Sequence, residues 1–341
     1  MSLWKQAAAN QFNEESVQGM SEKKKISFVI PCYRSENTIE VVVNEIKETI
    51  VSREGFDYEI VLVNDCSPDG VWNVIEKLAN ENENIIGINF AKNFGQHSAL
   101  LAGYHYVSGD YVVSLDDDGQ TPANEVFKLV DKLEEGFDLV YASYGEVHQN
   151  LIRRAGSKFA KMMSDYMFDI KGDKNQGSSY YIARRFVIDE MIKYENPYPY
   201  MGGLILRVTR NIGFVFVTHR DRMEGQSGYS FKGLVNLWLN GFTAFSVKPL
   251  RLGSYVGFFF AVLGFLYAII TVIRKLFINP NLSAGWSSTI SILLIVGGII
   301  MIMLGLIGEY VGRIYICINN SPQYVIKDIA GLNREDKRDM N

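Results

Sequence analysis

Short, nearly unbroken apolar runs punctuate the first 230 residues: ISFVIPCY (26–33), YEIVLVNDCS (58–67), IIGINFA (85–91) and YVVSLDDDG (111–119). Between them, at 38–50, 71–79 and 98–107, apolar residues recur every three or four positions. Continuous β-branched runs predict strands buried on both faces, and the longer period predicts helices covering them. Strand and helix in regular succession predict a mostly parallel α/β sheet with helices on both sides. In such a sheet ligands bind beyond the carboxyl ends of the strands. Pro31 and Tyr33, then Asp65, then Asp116, Asp117 and Asp118 stand at those ends.

The pattern changes after residue 230. Two windows, 252–273 and 287–308, hold 22 residues each and no Lys, Arg, Asp or Glu. At about 1.5 Å rise per residue, each exceeds the roughly 30 Å of a bilayer core. They predict two membrane spans joined as a hairpin, with Arg274 and Lys275 in the turn. Lys232, Lys248, Arg251, Arg313 and Lys327 lie on the other side, five basic residues against two. That excess places both chain ends in the cytoplasm. The stretch 231–251 begins with apolar residues at helical spacing, and reads either as an interfacial amphipathic helix or as a helix packed on the domain. Residues 1–24 lack the apolar centre of a secretory signal and read as a leader or flexible arm. The domain proper is 25–230, and 309–341 is a cytoplasmic tail with a charged end.

Composition narrows the chemistry. With 34 basic and 38 acidic side chains in 341 residues, the net charge is −4, without the basic excess of a nucleic-acid binder. Cys32, Cys66 and Cys317 match no zinc spacing or disulfide framework and read as free thiols. There is no G-x-x-x-x-G-K-[ST] and no G-x-G-x-x-G, which excludes P-loop and dinucleotide sites. The run DDDGQ at 116–120 carries the strongest signal. Two carboxylates at i and i+2 where a strand ends can turn toward one point. Asp116, Asp118 and Gln120 offer hard oxygens suited to Mg²⁺ or Mn²⁺, ions usually held by one or two carboxylates plus substrate phosphates.

The segments IPCYRSENTI, VLVNDCSPDG, NFGQHSALLAGYHYVSGDYVVSLDDDGQTP and RMEGQSGYSF, with LIGEYVGRIY after the second apolar window, carry a resemblance. In that order they resemble the motifs of family 2 glycosyltransferases of the GT-A fold, and of the polyprenyl-phosphate transferases within them. The likeness runs from about residue 25 to 327 and is nearest to bacterial undecaprenyl-phosphate sugar transferases. It implies that Pro31 and Tyr33 line a nucleotide base, that Asp65 holds the nucleoside, and that Asp116 and Asp118 engage the sugar nucleotide and its metal. Asp117 fills the variable middle position, Gln120 helps hold the metal, and Arg222 contacts phosphates. Arg153, Arg154, Lys158 and Arg184 are candidates for the lipid phosphate.

The sequence departs from the family pattern at three places. Arg34 and Ser35 replace the Asn and Glu that often follow the Tyr, and Gly228 replaces a Lys. An Asp proposed as catalytic base is Asn175, with Asp173 two residues upstream, and an Arg four residues past the following Gly is Tyr181. A phosphate monoester has its second pKa near about 6, so the acceptor arrives mostly as a dianion and needs little deprotonation. The expectation is inverting, metal-dependent transfer of one sugar from a nucleotide-diphosphate donor, UDP-linked, to undecaprenyl phosphate. The enzyme would sit in a bacterial inner membrane, alone or as a homo-oligomer. The alternatives are a membrane-bound family 2 enzyme that builds a longer cell-surface glycan, or a non-catalytic membrane scaffold of the same fold.

Overall fold

The computed structural model describes residues 23–144, 178–218, 220, 248–277, 285–319 and 321–331. Strands β1 (Lys24–Cys32), β2 (Phe56–Asn64), β3 (Ile85–Phe90) and β4 (Tyr111–Ser114) alternate with helices α1 (Ile39–Val51), α2 (Val71–Glu81) and α3 (Gln96–Tyr104). A short turn of 3₁₀ helix leads into α4 (Val126–Glu134), followed by β5 (Leu139–Ser143). Next come β6 (Tyr181–Arg184), α5 (Arg185–Met191), α6 (Met201–Val208) and β7 (Ile212–Phe216). Two long helices, α7 (Lys248–Phe277) and α8 (Trp286–Ile318), precede a last strand, β8 (Ile326–Ala330).

The strands form one sheet in the order β7-β5-β6-β4-β1-β2-β3-β8. Its centre, β4-β1-β2-β3, is parallel, while β6 runs antiparallel to β4 and β5, and β8 antiparallel to β3. Side chains alternate across β1. Ile26, Phe28 and Ile30 pack with α1, α2 and α4 on one face, and Val29 packs with α3, α5 and α6 on the other. Two-sided burial is why these strands carry apolar residues at successive positions. Helix α3 lies so close to the sheet that a Cβ on Gly103 would run into the Val29 side chain.

Strand β4 stops at Ser114, so the acidic run belongs to the following loop. The helices enclose both charge-free windows but are longer, and α8 continues ten residues past 308. Among the described residues, Ile295–Ile318 is by length and composition the one helical stretch long and apolar enough to cross a membrane, and the apolar run in α7, Gly257–Tyr267, is shorter. The segment read as a tail contains β8, which pairs antiparallel with β3 in the same sheet. Residues 1–22, 231–247 and 332–341 lie outside the described residues.

Candidate active site

Three loops meet at the carboxyl ends of β1, β2 and β4. Two of them carry non-glycine residues in the left-handed region, Arg34 (φ +59°) and Cys66 (φ +51°). For an L-residue this conformation costs roughly 1–2 kcal/mol and persists only where surrounding contacts hold it. Here the contacts are mutual. The Arg34 amide donates to Ser67 Oγ at 2.8 Å, and Ser67 Oγ donates to Asp69 Oδ1 at 2.6 Å. The Glu36 amide donates to Asp69 Oδ2 at 3.1 Å, and the Gly70 amide to Glu36 Oε2 at 2.9 Å. The loop after β1 is thereby latched to the loop after β2.

Asp65 is buried, and its carboxylate accepts from the amides of Phe94 at 2.6 Å and Gly95 at 2.8 Å. Burial pushes its pKa up to about 6 despite those two bonds. Gly95, at φ +90°, turns the chain into α3, whose first residue reaches the acidic loop: Gln96 Nε2 donates to Asp116 Oδ1 at 2.9 Å. Ser179 Oγ donates to Asp116 Oδ2 at 2.5 Å, so both oxygens of this carboxylate are oriented. Asp117 turns the other way. Its Oδ2 accepts from the Tyr33 amide at 2.8 Å, and its backbone oxygen accepts from Thr38 Oγ1 at 2.6 Å. Burial raises its pKa to about 6, and the neighbouring charges of Asp116 and Asp118 add to the rise. Asp118 Oδ1 accepts from the Gln120 amide at 3.1 Å, and Gln120 Nε2 lies 3.4 Å from the Arg220 carbonyl it donates to.

Three adjacent carboxylates gather negative charge at one point, which makes this loop receptive to a divalent ion. Gln120 directs its NH₂ to the Arg220 carbonyl, which leaves its amide oxygen as the end that can accept or ligate. Among the described residues no three His, Cys, Asp or Glu side chains form a ready-made cage. Mg²⁺ and Mn²⁺ are commonly held by one or two carboxylates, with substrate phosphates and water completing the shell. The donor set fits Mg²⁺ or Mn²⁺, with Asp116, Asp118 and Gln120 as the residues that would hold it.

Tyr33 is 45% exposed, with the Arg34 guanidinium 5.5 Å from its ring centre, so a flat aromatic face is open beside Asp117. Pro31 is buried in β1 opposite Val63. It lies beyond the last β1–β4 pair, Val29 with Ser114, where a residue lacking an N–H is tolerated. Tyr181 is a core residue whose hydroxyl lies 2.5 Å from that of Tyr104, both buried.

Arg184 requires a correction. It stands opposite Tyr111 at the amino end of β4, away from the acidic loop. Its Nε donates to the Phe137 carbonyl at 2.9 Å and its Nη2 to the Leu133 carbonyl at 3.0 Å. It closes the end of α4, and the expected acceptor-phosphate role does not suit that position. Arg153, Arg154, Lys158, Asp173, Asn175, Arg222 and Gly228 lie outside the described residues. Gln96 and Ser179 went unassigned in the sequence. A polar residue just after Gly95 was the available signal for the first, and a lone Ser gave none for the second.

The sequence of residues 27–192 matches the Glycosyl transferase family 2 domain, and residues 248–314 match the GtrB C-terminal hairpin. The chain is 33% identical to an undecaprenyl-phosphate 4-deoxy-4-formamido-L-arabinose transferase of Yersinia enterocolitica, covering 93% of this chain and 97% of that one. It is also 33% identical to the Proteus mirabilis protein of that name (92% and 96% covered). An uncharacterized glycosyltransferase of Bacillus subtilis, YkcC, is 32% identical with 94% and 98% covered. Among solved structures, Mycobacterium tuberculosis glucosyl-3-phosphoglycerate synthase with Mn²⁺ and UDP-glucose aligns at TM-score 0.47 and 22% identity over 66% of this chain and 78% of that one, a likeness too loose to bear on chemistry. An α/β domain with an acidic loop at the carboxyl edge of its sheet and a C-terminal pair of helices thus occur together in a chain that matches these relatives almost end to end. The chain belongs to the family 2 glycosyltransferases that carry a GtrB-type hairpin, and it is a glycosyltransferase.

Proposed function

We propose that the enzyme transfers a single sugar from a nucleotide-diphosphate donor, UDP-linked, to undecaprenyl phosphate at the cytoplasmic face of a bacterial inner membrane, with inversion. The observation that carries this reading is the convergence of Tyr33, Asp65 and the Asp116–Asp118 run, joined through Asp117 and Gln96. A base stacked on Tyr33 near Asp65 leaves the donor diphosphate toward the acidic loop. A divalent ion held by Asp116, Asp118 and Gln120 would neutralise that diphosphate and ease its departure. Gln96 and Ser179 hold the Asp116 carboxylate in one orientation, so little reorganisation is left for the reaction.

An oxygen of the lipid phosphate attacks the anomeric carbon as the bond to the donor β-phosphate breaks. The dianionic acceptor has no proton to lose, which removes the demand for a base at Asn175. The acceptor class is drawn from the named relatives, whose likeness extends through the hairpin. Exposed apolar side chains along both long helices, such as Phe258, Phe265, Leu293, Met301 and Ile302, support a lipid environment.

The test is a panel of nucleotide sugars offered to purified protein with undecaprenyl phosphate, read by mass of the lipid. The reading expects one donor to give the lipid phosphate plus one sugar, and none in EDTA. Undiminished product in EDTA, or lipids bearing several added sugars, would contradict it.

A further inference from the structure

The chain returns to the catalytic sheet after the hairpin, and the contact it makes there is directional. Strand β8 lies along β3, the Ala91 amide donates to the Val325 carbonyl at 2.9 Å, and Tyr324 stacks on Phe90 with ring centres 5.5 Å apart. Inside this seam runs a line of polar side chains. Asn89 Nδ2 donates to Asp328 Oδ2 at 3.0 Å, and Asn64 Nδ2 donates to Asn89 Oδ1 at 2.8 Å. The Ser67 amide then donates to Asn64 Oδ1 at 3.0 Å, and Ser67 Oγ accepts from the strained Arg34. Asn64 and Asn89 are buried, at 3% and 7% exposure.

An amide has a donating end and an accepting end, whereas an ionised carboxylate only accepts. Asp328 therefore dictates that Asn89 turns its NH₂ outward and its oxygen inward. Asn64 must follow in the same sense, and its oxygen is left facing the Ser67 amide. A flipped pair would set NH₂ against N–H, leaving buried donors unsatisfied next to the Asp65 loop.

We propose that Asp328, beyond the membrane hairpin, is a positioning residue for the donor nucleotide. Through Asn89 and Asn64 it fixes the polarity of the line that holds Ser67, and with it the latched loops bearing Tyr33 and Asp65. The inference rests on the reading that those loops take the nucleotide. It means that the donor site is complete only when the strand after the hairpin is docked on the sheet, which couples nucleotide binding to correct seating of the membrane segment.

The test uses the full-length protein in lipid nanodiscs with UDP as probe. Asp328→Asn keeps an acceptor for Asn89, and Asp328→Lys replaces it by a donor. UDP should bind about 10-fold more weakly to Asp328→Lys and within about 2-fold of the parent to Asp328→Asn. Hydrogen exchange at the Ser67 amide should be faster in Asp328→Lys alone. If the Lys variant does not fold, Asp328→Ala carries the same expectation at about 3-fold.

Unchanged UDP affinity and unchanged Ser67 exchange in Asp328→Lys would overturn the relay, as would equal damage from Asn and Lys. Asp65→Ala is the control for the underlying reading. If it binds UDP like the parent, the nucleotide lies elsewhere and the functional assignment of the loops fails. If it loses UDP while Asp328→Lys keeps it, the relay alone fails.

Discussion

Asp117 is held by burial, and to a lesser degree by the neighbouring charges of Asp116 and Asp118, with its carboxyl shifted up to about 6 in the folded protein. A raised acid pKa means that the folded state prefers the proton. The stability linked to it is complete below the ordinary value near about 4 and is lost as pH rises through about 6. Asp117→Asn keeps an oxygen for the Tyr33 amide and removes the charge. Without metal it should stabilise the protein at pH 7.5 by about 1–2 kcal/mol, allowing for partial solvent access, and by nothing near pH 4. Calorimetric melts of both proteins in EDTA at the two pH values measure this, and a gain that does not vary with pH would refute the electrostatic cause. Asp65 and Asp116–Asp118 could be read from the sequence because strand-end acids are local signals. Gln96 and Ser179 could not, since each reaches Asp116 only after the chain has folded, from 20 and 63 positions away.

Strands β1 to β4 and the helices between them followed from runs of apolar residues, because burial on both faces writes itself into every position. The later strands are four or five residues long and antiparallel or at an edge, and no periodicity develops over such a length. Strand β8 was hidden further by its place after the hairpin, where a charged tail was the natural reading. Arg184 shows the complementary error, in which a basic residue chosen for its charge is held by its hydrogen bonds. Arg184→Met removes both bonds to the carbonyls at the end of α4 and should destabilise the domain by about 1.5–3 kcal/mol. The Michaelis constant for the lipid acceptor should stay within a factor of about 2, because the guanidinium sits at the far end of the strands. A many-fold rise in that constant without loss of stability would restore the phosphate-binding role.

Helices α7 and α8, of 30 and 33 residues, exceed the thickness of a bilayer core at about 1.5 Å per residue. Since β1 precedes them and β8 follows them in one sheet, the chain leaves the catalytic domain and comes back to it. The topology proposed above, a hairpin that crosses twice, is consistent with this return. With native thiols replaced, a cysteine at position 281 in the turn should label from outside intact cells, and one at position 330 should not. Labelling of both would put the domain on the wrong side for cytoplasmic nucleotide sugars. Under the proposed function, the Asp116–Asp118 loop holds the ion that receives the donor diphosphate. Calorimetric titration of UDP into the purified enzyme, with Mn²⁺ and then with EDTA, tests it most directly when repeated on Asp118→Asn. UDP should bind the parent only with Mn²⁺, and Asp118→Asn should lose that binding while melting close to the parent. Equal UDP affinity in EDTA, or undiminished Mn²⁺-dependent binding in Asp118→Asn, would contradict it.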